Sequence, residues 1–67
     1  MREVDARGLS CPEPIMITDE AVKSGDMPVK VLVSEHHQMI NVEKYAASKG
    51  KAYKSEEVED GYVITIE

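Results

Sequence analysis

The feature that most constrains the fold is a short, nearly continuous apolar run in the middle of the chain. Residues 29–34 read Val-Lys-Val-Leu-Val-Ser, and β-branched residues in such a run are typical of a strand. A strand that is apolar at adjacent positions is usually central, with both of its faces covered. The run therefore predicts a central strand, for which the rest of the chain must supply neighbouring strands and a covering layer.

The segments on either side of this strand have the periodicity of helices. A first helix is predicted to begin at Pro12, because proline is favoured at the first helical position, and to end at Gly25. Met16 falls on its polar side. At about 100° per residue its apolar side contains Pro14, Ile15, Ile17, Thr18, Ala21 and Val22. A second helix is predicted over residues 39–49, with an inner stripe of Met39, Val42, Tyr45 and Ala46.

Three further strands complete the predicted fold, at residues 2–6, 51–58 and 61–67. The last two are joined at Asp60-Gly61, a pair typical of tight hairpins because it tolerates positive φ. The order is β-α-β-α-β-β. The predicted class is α+β: a two-layer α/β sandwich, with two helices packed on one face of a four-stranded mixed sheet and a parallel first crossover. Residues 1–67 are predicted to form a single domain.

Size and charge restrict the possible functions. A chain of 67 residues buries only about 60% of its unfolded surface, so chemistry is expected at the surface and not in a deep cavity. The 8 Lys and Arg are scattered among 13 Asp and Glu, for a formal charge of −5. Direct nucleic-acid binding needs clustered basic residues and is not predicted. An acidic surface favours basic protein partners.

The predicted location is the cytoplasm. A small secreted domain usually carries several disulfides, whereas this chain has one cysteine. Residues 1–5 contain no apolar run that would suit a signal peptide. No stretch approaches the ~20 apolar residues of a membrane span.

The single cysteine is the main candidate for chemistry. If the first helix begins at Pro12, then Cys11 is its N-cap, and a thiolate accepts helix N–H groups better than a thiol does. The partial positive charge of the helix end also favours the anion, so the pKa of the thiol is expected below the ~8.5 of free cysteine. Pro14 removes one donor and leaves the Glu13 N–H as the main partner. The Glu13 carboxylate repels a negative sulfur, and Arg7 is expected to offset that repulsion.

The sequence also allows other roles for Cys11. A lone cysteine excludes a dithiol redox cycle and is too few for a structural zinc site, but it can be a small buried hydrophobe. In a parallel β-α-β unit Cys11 and His36 lie at the same sheet edge, where α/β folds place ligands. An imidazole of His36 or His37 could then serve as base or proton donor, or join Cys11 in a metal or redox site. The alternative is a pair of solvated loop histidines.

The residues around Cys11 resemble the signature of a known family. Residues 5–14 read Asp-Ala-Arg-Gly-Leu-Ser-Cys-Pro-Glu-Pro. This resembles the Asp-x-x-Gly-x-x-Cys-Pro-x-Pro signature of the TusA/SirA-like sulfur-carrier family, which includes YedF-like members. Residues 15–17 resemble the apolar stretch that follows it. The resemblance extends over nearly the whole chain and implies the same two-layer sandwich.

The resemblance also implies a function. In that family the cysteine matching Cys11 accepts sulfur as a persulfide from a cysteine desulfurase or rhodanese-like donor. It then passes the sulfur to an acceptor, classically in tRNA thiolation. The protein is thus expected to be a stoichiometric carrier, most simply a monomer, with no cofactor and no bound metal. The supporting motif positions are Asp5, Arg7, Gly8, Pro12, Glu13 and Pro14; Asp5, Arg7 and Gly8 are expected to shape the turn, and the two prolines to set the helix start.

The chain also departs from the family pattern. Residues 34–38 read Ser-Glu-His-His-Gln, where relatives more often have Asp and small residues, and the last strand is not followed by an extended tail. The donor, the acceptor and the choice between sulfur and selenium chemistry therefore stay open, as does the role of His36 and His37. The alternative functions are a small regulatory or interaction module and a selenium-metabolism protein, in which Cys11 does not relay sulfur.

Overall fold

The computed structural model describes residues 2–10, 12–25 and 27–67. Its elements follow the predicted order: β1 (Arg2–Asp5), α1 (Glu13–Lys23), β2 (Val29–Val33), α2 (His36–Ser48), β3 (Tyr53–Val58) and β4 (Gly61–Ile66). The four strands form one sheet in the order β1-β2-β4-β3. β1 pairs with β2 in parallel, and β4 pairs antiparallel with both β2 and β3. The predicted mixed sheet with two helices on one face is confirmed, and β2 is central.

The core lies between the sheet and the helices. Val29, Val31 and Val33 point into it from β2 and are fully buried, as are Ile64 and Ile66 of β4. The helices close this layer with Ala21, Val42 and Ala46. Full burial of an aliphatic side chain of this size is worth roughly 1.5–3 kcal/mol. Buried residues alternate along β2 and form apolar stripes on α1 and α2. This pattern determines how the sheet packs against the helices.

The expectation that both faces of β2 are covered is wrong. Lys30 and Leu32 lie on the face opposite the valines and are only half-buried. Both helices pack on the other face, and on the open face Lys30 is flanked by the neighbouring strand residues Glu3 and Thr65. This open face carries a shallow cavity of about 370 Å³, lined by Lys30, Lys54, Glu56, Val63, Thr65 and Glu67.

The start of α1 differs from the prediction by one residue. The helix begins at Glu13, and Pro12 occupies the N-cap position, with φ −96° and ψ 15°. Pro14 lies in the first turn and is buried. The hydroxyl of the buried Thr18 donates to the Pro14 carbonyl oxygen at 2.6 Å, which satisfies a polar group on the inner side of the helix.

The start of α2 differs by three residues. The helix begins at His36 instead of residue 39, with Glu35 as an extended N-cap residue at φ −112° and ψ 147°. Gln38 is the third helical residue, and its side chain accepts a hydrogen bond from the Glu35 N–H at 3.0 Å. This bond resembles half of a capping box and favours an early helix start. His36 and His37 are therefore helical and not loop residues.

Candidate functional site

The candidate site lies where β1 and β2 end. Because these strands are parallel, the segments that follow them, residues 6–12 and 34–35, leave the same edge of the sheet. The backbone N–H of Ala6 still donates to the Leu32 carbonyl at 2.7 Å, so the two segments start side by side. Cys11 lies outside the described residues; its neighbours Ser10 and Pro12 are both exposed. We call this region, with the 59–60 turn, the carboxyl edge.

Asp5 and Arg7 form an ionic turn at the start of the loop. The Arg7 Nε and Nη2 groups donate to the two carboxylate oxygens of Asp5 at 2.9 and 2.8 Å, and the Arg7 backbone N–H donates to Asp5 Oδ1 at 3.1 Å. Hydrogen bonds from the Arg7 side chain and backbone lower the pKa of Asp5 to about 2. Arg7 Nη1 also lies 3.9 Å from Asp60. The guanidinium is engaged by these two carboxylates, so the expectation that it offsets the charge of Glu13 is not supported.

The next two residues of the loop are tied to the segment after β2. Gly8 has φ +83°, a conformation that glycine adopts readily. Its N–H donates to Ser34 Oγ at 2.8 Å. The carbonyl oxygen of Leu9 accepts a hydrogen bond from Gln38 Nε2 at 2.7 Å. Two successive residues, just upstream of Cys11 in sequence, are therefore held by residues 34–38.

Gln38 is the polar centre of the carboxyl edge. Its side chain is only 4% exposed. Its Oε1 accepts hydrogen bonds from the backbone N–H groups of Ser34, at 3.2 Å, and Glu35, at 3.0 Å. Its Nε2 donates to Leu9. One buried amide thus joins the N-terminus of α2 to the loop that carries Cys11.

On the downstream side of Cys11 the chain turns directly into α1. The Glu13 N–H donates to the Ser10 carbonyl at 2.9 Å, and the Met16 N–H donates to the Pro12 carbonyl at 3.1 Å. The prediction of Cys11 as N-cap is wrong, because Pro12 occupies that position without a side-chain cap. The Glu13 N–H, which the sequence suggests as the main partner of the sulfur, donates to Ser10, and its relation to Cys11 lies outside the described residues. The helix end itself still favours an anion.

Met16 is the most exposed large apolar residue in the described part of the chain. Its side chain is 62% exposed, in agreement with its predicted place on the polar side of α1. It lies one helical turn beyond the exposed Pro12. An apolar side chain in this position offers a contact point to a partner that approaches the Cys11 loop.

His36 and His37 occupy the first turn of α2 and are both exposed. The predicted placement of His36 at the same sheet edge as the Cys11 loop is confirmed. The His36 ring packs edge-on against Tyr62, with centroids 5.6 Å apart and planes at 74°. Among residues 2–10, 12–25 and 27–67, no three His, Asp or Glu side chains are grouped so that they could hold a metal ion.

Comparison with known proteins identifies the family. The model of the sulfurtransferase TusA family matches residues 2–67. The chain belongs to the TusA family. It also matches the crystal structure of a SirA-like protein from Desulfitobacterium hafniense, with 28% identity and a TM-score of 0.89 over 98% of this chain and 95% of that one. No curated protein matches the chain significantly.

Membership of the TusA family means that the chain acts in sulfur transfer, a chemistry in which these proteins work with partner proteins. The match covers the whole Asp5-to-Pro14 motif, including Cys11. In the described residues, no helix is long and apolar enough to cross a membrane.

Two polar residues of this TusA-family chain were not singled out from the sequence: Ser34 and Gln38. Both lie in the segment that departs from the family signature. A signal for Gln38 was present, since it lies four and eight residues before Val42 and Ala46, and all three are buried on α2. A polar residue in register with an apolar stripe has to find partners inside the protein.

Proposed function

We propose that the chain is a sulfur carrier that holds a persulfide on Cys11 and relays it between two protein partners. The donor is a cysteine desulfurase or a rhodanese-like protein, and the acceptor belongs to tRNA thiolation or another sulfur pathway. One observation carries this proposal. The family match includes the Cys-Pro-x-Pro motif, and the residues on both sides of Cys11, Ser10 and Pro12, are exposed at the carboxyl edge.

The proposed transfer consists of two exchanges of the same kind. The thiolate of Cys11 attacks the outer sulfur of the donor persulfide; a new S–S bond forms, the donor S–S bond breaks, and the donor cysteine leaves as a thiolate. An acceptor thiolate then attacks the outer sulfur on Cys11, which leaves as a thiolate in turn. No external oxidant or reductant is consumed in either exchange.

The start of α1 supports an anionic sulfur. Cys11 precedes the N-cap Pro12 in sequence, and the partial positive charge of a helix N-terminus stabilises a nearby anion. We expect the pKa of the thiol below the ~8.5 of free cysteine. The midpoint of thiolate absorbance against pH measures it, and a midpoint at or above that of free cysteine would contradict this part of the account.

The surface beside the loop supports transfer between proteins. Met16 offers an exposed apolar contact, and the exposed acidic residues Glu13 and Glu20 lie on the same helix. The chain has a formal charge of −5. A partner with a basic rim around an apolar contact fits this surface, and its association should weaken as ionic strength rises.

The remaining features of the proposal follow from the sequence and from the family resemblance. Asp5, Arg7 and Gly8 shape the turn before Cys11, and Pro12, Glu13 and Pro14 form the entry to α1. The protein works as a monomeric single domain in the cytoplasm, without a cofactor, as a stoichiometric carrier.

A Cys11→Ser variant tests the relay directly. Labelled sulfur is followed from cysteine, through a desulfurase and the carrier, to an acceptor thiol. Serine is a small polar residue suited to helix starts, so the fold is expected to survive, and circular dichroism checks this. Transfer above the background without carrier should disappear completely. Undiminished transfer by the serine variant would favour a regulatory or interaction module instead.

A further inference from the structure

Both the oxygen and the nitrogen of the Gln38 side-chain amide form hydrogen bonds. Its oxygen accepts from Ser34 and Glu35, within the N-terminal turn of its own helix. Its nitrogen donates to the carbonyl oxygen of Leu9, 29 residues earlier in the chain, at 2.7 Å. A capping residue at this helix position needs only the oxygen. Helix capping therefore does not explain the bond from the nitrogen.

The surroundings of Gln38 allow only one orientation of the amide. Rotation by 180° would place the NH₂ group against two N–H donors and the oxygen against the Leu9 carbonyl, so all three bonds would be lost. The side chain is 4% exposed, so bulk water has little access to replace them. A buried polar group left without a partner is destabilising. The position of the Leu9 carbonyl is therefore tied to that of α2.

Two residues of the loop before Cys11 are held by the segment that follows β2. Gly8 bonds to Ser34, and Leu9 bonds to Gln38, which itself binds the backbone of Ser34. Downstream, the chain enters α1 through the bond from the Glu13 N–H to the Ser10 carbonyl. The 34–38 segment and α1 thus form the two anchors of a very short stretch that contains Cys11.

We propose that Gln38 is the positioning residue of the sulfur-transfer loop: through Leu9 it sets where Cys11 meets the donor persulfide. This inference rests on the proposed function, because it assigns Gln38 to the same reaction. Gln38 acts through the backbone of the loop, by its hydrogen bond to the Leu9 carbonyl. In-line exchange between two sulfurs needs close alignment, and a displacement of about 1 Å can reduce a rate by roughly 100-fold.

The decisive variant is Gln38→Glu. The introduced carboxylate keeps two oxygens that can accept from Ser34 and Glu35, and glutamate is an ordinary capping residue at this position. When ionised, the carboxylate removes the donor to Leu9 and sets a negative oxygen against the Leu9 carbonyl. A protonated carboxyl group would still donate to Leu9, so Gln38→Met, which has no donor at any pH, is measured beside it. Tyr45→Phe is the matched control, because it removes another long-range bond, from Tyr45 to Asp19, that joins the two helices away from the loop.

The experiment is a single-turnover loading of Cys11 from a desulfurase persulfide, with the rate constant and the final loaded fraction measured separately. Gln38→Glu should lower the rate constant at saturating donor by roughly 10- to 100-fold. Its final loaded fraction should stay close to that of the wild type, because the variant remains folded. Tyr45→Phe should load within about twofold of the wild-type rate even if its unfolding midpoint falls equally. A rate for Gln38→Glu that matches the control would overturn the proposal.

A second variant and a second readout distinguish a failure of this inference from a failure of the proposed function. If Gln38→Glu does not fold, Gln38→Met, of similar length, removes the same bond to Leu9, and the same rates decide. If the wild type accepts no sulfur from any donor, the proposed function fails. The rate of Cys11 alkylation by iodoacetamide across pH then tests Gln38 alone. A shifted midpoint in Gln38→Met, which adds no charge, but not in Tyr45→Phe supports positioning, and identical profiles refute it.

Discussion

The helix-covered face of the sheet and the carboxyl edge are stabilised by different forces. On the covered face, Val31, Ile64 and Val42 pack without polar partners and are fully buried. At the carboxyl edge the links are single hydrogen bonds between distant parts of the chain, from Gly8 to Ser34 and from Gln38 to Leu9. Packing is non-directional and sets how firmly the layers hold together. The hydrogen bonds are directional and set where one short loop lies. Stability and sulfur transfer should therefore respond to different substitutions.

The largest expected effect on stability comes from the covered face. Ile64 lies between Val31 and Ser55 in the sheet and is fully buried. Ile64→Ala should lower the free energy of unfolding by about 2–5 kcal/mol, since it leaves a cavity in the core. Urea denaturation measures this. Thr65→Ala, at the neighbouring position on the open face, should have a much smaller effect. The rate of Cys11 loading per folded molecule should not change, and a parallel fall in that rate would remove the distinction between the two regions.

A substitution at Gly61 tests whether the helix-covered face and the carboxyl edge are linked. A Cβ atom at this residue would lie 2.1 Å from the Val33 carbonyl oxygen, in a backbone with φ +143°. Gly61→Ala should therefore destabilise the fold by roughly 1–3 kcal/mol. Because Val33 precedes Ser34, which binds Gly8, the same change should also slow Cys11 loading. The control is Gly50→Ala, at φ +70° with no atom within 4 Å of the added group. Equal effects of the two substitutions on loading would contradict this link.

The smallest expected effect concerns the ionic turn of the carboxyl edge. The hydrogen bonds from Arg7 lower the pKa of Asp5 from its ordinary 3.8 to about 2. A carboxyl group whose pKa is lowered by folding stabilises the native state above its unfolded pKa, and this contribution is lost as pH falls from about 4 to about 2. An NMR titration of Asp5 should show the low midpoint, and Arg7→Ala should return it towards 3.8. An unchanged midpoint in the variant would mean that Arg7 is not the cause.

The sequence predicted the helix-covered face better than it predicted the carboxyl edge. Apolar periodicity is a local signal, so it located the strands, the inner stripes of both helices, the exposed Met16 and the central place of β2. Periodicity did not predict the features that depend on polar side-chain hydrogen bonds. The apolar stripe predicts a start of α2 at residue 39, whereas the helix begins at His36 and Gln38 bonds to Leu9, far away in sequence. Arg7, four residues before Cys11, is expected to offset the charge of Glu13, but it pairs with Asp5 in a turn conformation that apolar periodicity does not predict.

The prediction that both faces of β2 are covered was wrong for a related reason. Lys30 and Leu32 alternate with the buried valines, which is the pattern of a strand with one covered face, but Leu32 made the run look apolar throughout. Where both helices lie is a property of the complete topology. The family resemblance supplied what periodicity could not, namely that Cys11 belongs to a sulfur-transfer motif.

The most direct test of the central claim is the intact mass of the protein after incubation with a cysteine desulfurase, its cofactor and cysteine. The account predicts a gain of one sulfur atom that is lost on reduction and does not form in Cys11→Ser. No gain in the wild type with several unrelated donors, or an equal gain in the serine variant, would contradict a persulfide on Cys11.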